Sequence, residues 1–272
     1  MYSGTTFRDN SGNLLGAHQK IDRVARVALE EALPDTSFPG IRSILHFEGK
    51  NGPDGIKRKS PAQDEPWHYI DPLNPRDTAL LDMIQIHHDN LVNALRRQRQ
   101  EKAAFEAAWL AHAVVDGLTP AHHFPLHEVL EQMRGEGLET RTTIRDKLII
   151  HQEGDTRREL LSKNWKYWGA KGIMTTHGLF EWGFAATIAP LKLRKGYPSG
   201  NDLVRVRNEG IIPLYQEAIQ HVYGLRMYAS FQRRGWTRTL AKQTREDLAP
   251  LIVRAVALAW YSAAYKAYGG KK

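Results

Sequence analysis

The chain has no cysteine among its 272 residues. That excludes a disulfide framework and any thiolate metal site, so a bound metal ion has to be held by histidine, aspartate and glutamate. No sustained period-two alternation of apolar and polar residues is present, and no unit of about 20–50 residues recurs, which argues against a sheet and against a solenoid. A clean apolar span of about 20 residues, as a membrane helix needs, is missing as well. The most apolar stretch, LAPLIVRAVALAWYSAAY, contains Pro250 and Arg254 and is read as a core helix, so no transmembrane segment is expected. The opening MYSGTTFRDNSG has neither a basic nor an apolar signal region, and no secretory signal is expected there. GGKK at the other end reads as a short polar tail. No linker stands out, and residues 1–272 are read as a single domain.

What is present is ordinary for a globular protein, with 42% hydrophobic and 25% charged residues. The 38 Lys+Arg against 30 Asp+Glu leave a net charge of +8, which favours phosphate-bearing partners at range without choosing between lipid and nucleic acid. The basic residues are scattered through RRQRQEK, KLRKG and RVRNE, as expected of solvated helix faces.

Apolar spacing predicts a mainly α fold. A first helix over 16–33 carries His18 near its start, and Pro34 ends it. Residues 49–75, rich in proline, glycine and charge, are expected to form a long irregular loop. Helices are then expected over 76–99, 101–115 and 127–133. A charged stretch follows to 158, then a tryptophan-rich turn at NWKYWGAKG and a helix opening near Thr175. The last two are expected at 202–234 and 245–268.

The chemistry concentrates in AHAVVDGLTPAH. His112 and Asp116 lie one helical turn apart, about 5–6 Å between Cβ atoms, so both can face one ion. Pro120 ends the helix and frees His122 to reach a second ion beside the first. His177 and Glu181 in TTHGLFEW repeat the same spacing, and two helices can present complementary ligand pairs to each other. A third pair, His151 and Asp155, has this spacing in a less helical context. Any single histidine is more often a surface or hydrogen-bonded core group than a ligand; the order of several such segments is what raises the metal reading. His87, His88, His123 and His127 are expected at the surface or as supporting groups, and Trp165 and Trp168 as packing residues or as contacts for a base or a lipid interface.

These segments resemble the zinc-dependent phospholipase C and single-strand-specific nuclease superfamily. HAVVDGLTPAH is similar to its central motif and THGLFE to its downstream His-x3-acid motif. WHYID with His68, Asp54 fourteen residues earlier, and AHQKIDRVA with His18 are similar to its upstream ligand segments. The resemblance implies a mainly α, single-domain helical bundle of the zinc-dependent phospholipase C type with long loops. It implies two zinc ions, with a third position. One zinc would be held by Asp54, His68, His112 and Asp116, and a second by His122, His177 and Glu181. The third would use His18 and the other oxygen of Asp116. The chain departs from the family pattern in having no tryptophan before Trp67, in the length between His122 and His177, and in the glycine that follows Asp54 directly.

The implied activity is metal-dependent hydrolysis of a phosphoester by activated water, with Asp54 orienting or deprotonating that water as the catalytic group. A phospholipid is favoured over single-stranded nucleic acid as the substrate. The alternatives are a single-strand-specific nuclease and a non-catalytic helical protein with structural zinc. Enzymes of this kind are commonly exported, although no signal is visible at this end of the chain.

Overall fold

The structure, a computed structural model, describes residues 16–34, 36–57 and 59–269. The opening MYSGTTFRDNSG and the last three residues of the GGKK tail lie outside the described residues. The described chain is mainly helical and contains no strand among the described residues.

The spacing of Ile21, Ala25, Ala28 and Leu29 produces α1, Ala17–Ala32, which turns those side chains into the core. α2 is Ile41–His46. The expected irregular loop is partly helical: it holds short 3-10 turns at Gly49–Asn51 and Ala62–Asp64, with α3, Pro53–Lys57, between them. Short turns of this kind satisfy local backbone groups without needing an apolar stripe, so apolar spacing does not reveal them.

α4, Ala79–Arg96, and α5, Gln100–Gly117, form an antiparallel pair at the centre. The alanines of α5, at 103, 104, 107, 108, 111 and 113, are buried and let neighbouring backbones approach closely. α5 stops before Pro120, as expected, and the chain turns through a 3-10 segment, Pro120–His123.

α6, Leu126–Arg134, follows, and the charged stretch after it is not a plain loop. It contains α7, Ile144–Leu148, and leads into α8, Arg157–Trp168. α8 starts in a reciprocal cap, with Thr156 accepting from Glu159 N and the Glu159 side chain accepting from Thr156 N. The tryptophan-rich turn is therefore misplaced: Trp165 and Trp168 belong to the last turns of α8, and the bend comes after them at Gly169. α9, Ile173–Ile188, carries the second His-x3-acid pair.

The helix expected over 202–234 is broken into α10, Gly200–Glu209, α11, Ile211–Gly224, and α12, Met227–Arg234. Gly210, at φ +82°, supplies the first break, and Pro213 sits in the first turn of α11, where a missing N–H costs little. Arg226 makes the second break with a left-handed backbone. The last helix starts earlier than expected. α13, Arg238–Gln243, runs through a wide π turn, Thr244–Leu248, into α14, Ala249–Tyr268. Pro250 has no N–H for the carbonyl four residues back, and the widened turn before it accommodates the ring.

By length and composition, Arg238–Tyr268 could cross a membrane, yet 83% of its most apolar window is buried inside the fold. α14 packs on α1, α4 and α5. The indole of Trp260 donates to Ala107 O at 2.9 Å, which ties α14 to the helix carrying His112 and Asp116. α14 is thus a core helix here, and it holds α5 rigidly in place. A second, smaller apolar cluster joins Tyr69, Leu126, Leu130, Ile150 and Tyr167 beside the main core.

Candidate metal centre

Asp116 is the hub of the site. It sits near the end of α5, fully enclosed, and its two oxygens face different groups of imidazoles. Oδ2 lies 2.5 Å from His68 Nδ1 and 3.1 Å from His112 Nε2. Oδ1 lies 3.3 Å from His18 Nε2 and 3.5 Å from His122 Nδ1. His112 Nε2 is also 3.8 Å from Asp54 Oδ1. On the far side, Glu181 Oε1 is 3.0 Å from both His122 Nε2 and His177 Nε2. All eight residues singled out in the sequence, His18, Asp54, His68, His112, Asp116, His122, His177 and Glu181, therefore meet in one place.

The local fold explains the convergence. The i,i+4 spacing on α5 and α9 puts each acid one turn below its histidine. His18 lies in the first turn of α1, where its ring stacks on His112 with centroids 4.1 Å apart. His122 leaves the direction of α5 at the Pro120 turn and stacks on His177 at 5.1 Å. Asp54 is placed by α3, whose backbone presses against the Gly49–Asn51 turn. A Cβ on Gly55 would collide with Lys50 O, so the glycine after Asp54 is what lets these two turns touch.

Two ligand atoms about 2.0–2.2 Å from a four-coordinate ion, at tetrahedral angles, lie roughly 3.3 Å apart. Most of the separations above match that spacing. Three groups each bring three ligand atoms within 4.8 Å of one another: His18, Glu48 and His112; Asp54, His68 and His112; His122, His177 and Glu181. Two buried atoms here, His68 Nε2 and Glu48 Oε2, have no hydrogen-bond partner. Buried polar atoms left without a partner carry a cost, and a coordinated ion removes it. These groups could hold metal ions.

The electrostatics agree with a ligand role. Burial drives His68 down to about 4 and His122 to about 3, so both are neutral imidazoles with a lone pair to offer. Burial opposes ionisation of Asp54, but His112 and then His68 hold its carboxyl down at about 2. Burial likewise works against Asp116 and Glu181, yet both carboxyls lie well below the usual range, and His122 and His112 beside Asp116 and His177 beside Glu181 contribute to that lowering. His112 differs: burial disfavours its charge, but Glu48 and Asp116 raise it well above the usual histidine value.

Two residues of the centre were missed in the sequence. Glu48, enclosed in the turn after α2, accepts from His112 Nδ1 at 2.9 Å. Asp22 is fully buried on α1, and burial followed by Glu48 raises its carboxyl well above the usual range. Asp22 had a signal, since it lies four residues after His18, the same spacing as the other two pairs. Glu48 had none; it sits in HFEGKNG, where no period points at a site.

The competing pair does not enter the centre. Asp155 is held by Lys163 Nζ at 2.7 Å, and His151 is exposed. Among the other histidines, His87 pairs with Glu106 at 2.6 Å and His88 Nε2 meets Ser262 Oγ at 3.1 Å. His123 donates to Gly117 O at 2.8 Å, and His127 stacks on Trp67. The centre is not sealed: the side chains of Asp54 and Glu181 keep 26% and 14% of their exposure, so solvent reaches it from that edge. Neither a family model, nor a curated protein, nor a solved structure matches the chain.

Proposed function

We propose that the chain is a zinc-dependent phosphoester hydrolase resembling phospholipase C, with a helical fold of that type. The observation that carries this reading is the bridging position of Asp116 between two groups of imidazoles, with Asp54 and Glu181 at the open edge. A donor set of imidazole and carboxylate without thiolate suits zinc. Asp54, His68, His112 and Asp116 would hold one ion and His122, His177 and Glu181 another, with His18 and Asp116 Oδ1 at a third position. Bound zinc would polarise a phosphoryl oxygen and bring a water to a nucleophilic state near neutral pH.

The chain's own residues do the rest. Four carboxylates, from Glu48, Asp54, Asp116 and Glu181, are balanced by two divalent ions and outweighed by three, so a phosphate group would meet no net repulsion at the loaded centre. Asp54 would bind and orient through Oδ1, which faces His112 Nε2 at the open edge of the centre. Asp54, partly exposed, marks the face from which substrate enters.

A phospholipid substrate is favoured by the outer faces of α8 and α9. Leu161, Trp165, Trp168, Leu179 and Trp182 are all exposed there, and α9 is the helix that carries His177 and Glu181. Exposed apolar and tryptophan side chains on α8 and on the outer face of α9 suit a lipid–water boundary. The same tryptophans and the net charge of +8 support single-strand nuclease activity as a second reading.

The test is elemental analysis of protein purified without added metal, followed by hydrolysis assays on phospholipid vesicles, single-stranded DNA and RNA in parallel. Two or three zinc ions per chain and phosphodiester cleavage of vesicle lipid are expected. Less than one metal per chain, or full metal without cleavage of any of the three, would overturn the proposal. Asp54→Asn is expected to lower the rate with the fold unchanged.

A further inference from the structure

The long segment between His122 and His177 builds a cavity beside the metal centre. Its volume is about 320 Å³, at the lower end of small-molecule sites. Most of its wall comes from that segment: Leu126 and Leu130 of α6, Ile144 and Leu148 of α7, and Tyr167 and Trp168 of α8. Tyr69 is the wall shared with the metal centre; its ring lies 5.1 Å from that of His122.

The lining is apolar, but its charge is one-sided. Lys57, Arg141 and Lys147 face the cavity, with Glu65 as the only carboxylate among the lining residues. Glu65 is already engaged by Lys147 at 2.9 Å. Lys147 also donates to the backbone carbonyls of Lys57 and Ser60. Arg141 is the anomaly. It is 95% buried, since only 5% of it is exposed, and its Nε and Nη2 have no hydrogen-bond partner. No carboxylate pairs with it among the described residues. Arg134, itself buried, adds a second positive charge nearby; its Nη1 donates to the carbonyls of Asp146 and Ile149, while its Nε has no hydrogen-bond partner.

A buried guanidinium without an anion is costly, and its planar fork matches a carboxylate or phosphate. His127, also in the wall, supplies no counter-charge, because an imidazole is either neutral or cationic. We propose that this cavity binds a small apolar anion, a carboxylate or phosphate group carried on an alkyl chain, with Arg141 as the partner of the anionic head. The chain of the ligand lies against Leu126, Leu130, Ile144 and Leu148. Because the partners differ from the metal ligands, this site does not depend on the hydrolase reading.

Calorimetric titration of the full chain with decanoate, decyl phosphate, decanol and inorganic phosphate tests it, each with and without EDTA. Decanoate or decyl phosphate should bind about ten- to hundredfold more tightly than decanol or inorganic phosphate, and EDTA should leave decanoate binding unchanged. The tighter of the two amphiphiles identifies the head group. Arg141→Gln should weaken the anionic amphiphiles about tenfold or more and leave decanol unaffected. Ile144 lines the cavity yet is 57% exposed, so Ile144→Glu spares the core; by setting a carboxylate against the ligand's alkyl chain it should weaken decanoate and decyl phosphate about tenfold or more, and decanol less, even if Arg141→Gln does not fold. Decanol binding as tightly as decanoate, inorganic phosphate binding as tightly as decyl phosphate, or unchanged affinity in Ile144→Glu would overturn the site. Decanoate binding abolished by EDTA would place the anion on a metal instead and overturn it equally.

Discussion

Glu48 Oε1 stands 2.9 Å from His112 Nδ1, and that contact decides which nitrogen of His112 faces Asp116 and Asp54. With Nδ1–H donated to Glu48, Nε2 is turned into the centre. Carboxylates that hold a metal-binding imidazole in this way fix its tautomer and raise its basicity.

Glu48→Gln is therefore expected to weaken metal binding about 10–100-fold while the helical fold is retained. Competition against a chromophoric chelator gives the affinity, and circular dichroism checks the fold. Equal affinity in the variant and the parent protein would remove Glu48 from the centre.

The two groups of ligands should separate by metal count. His177→Ala removes a residue from the Glu181 group alone and is expected to lower the metal content by about one ion per chain. Asp116→Ala removes the bridge between the groups and should cost more than one. Elemental analysis after gel filtration reads both, and equal losses in the two variants would contradict the bridging role of Asp116.

Metal binding should weaken as pH falls. Burial disfavours the charged form of His112, but Glu48 and Asp116 hold its proton above the ordinary histidine range near 6.5, so an ion taking Nε2 must displace that proton. His68 and His122, at about 4 and 3, bring no such competition at neutral pH. Titrations in buffers of different ionisation enthalpy should show proton release near pH 7. Chelation should also lower the melting temperature: a ligand at a hundredfold excess over its Kd contributes about 2.7 kcal/mol, or roughly 5–10 °C for a chain of this size.

Gly117 is the fourth test. It follows Asp116 directly, and a Cβ there would collide with the Tyr215 hydroxyl and with Leu80. The hydroxyl of Tyr215 donates to Val114 O at 3.1 Å, so α11 is fastened against the end of α5 next to the hub of the centre. Gly117→Ala should cost about 1–3 kcal/mol in chemical denaturation. Tyr215→Phe in the same chain should recover part of it by removing the atom in the way.

Much of the candidate site could be read from the sequence because its spacing is local. His112 with Asp116 and His177 with Glu181 are neighbours on helices, and a four-residue interval carries its meaning into three dimensions unchanged. Asp22 follows the same rule from His18 and could have been found. Glu48 could not, because its role depends on the approach of a turn after α2 to a helix 64 residues away. Helix boundaries failed for a related reason. The breaks at Gly210 and Arg226 change direction without changing the apolar spacing on either side.

The helical class, the donor set without thiolate and the paired spacings follow from the order of residues alone, because each depends on residue type and on contacts within one or two helical turns. The tertiary structure decided which oxygen of Asp116 faces which imidazole, the partner of His112, and the cavity in which Arg141 lies buried without an anion. Those relations are set by how α1, α5, α9 and the long connecting segment pack, and packing joins residues whose separation along the chain carries no period.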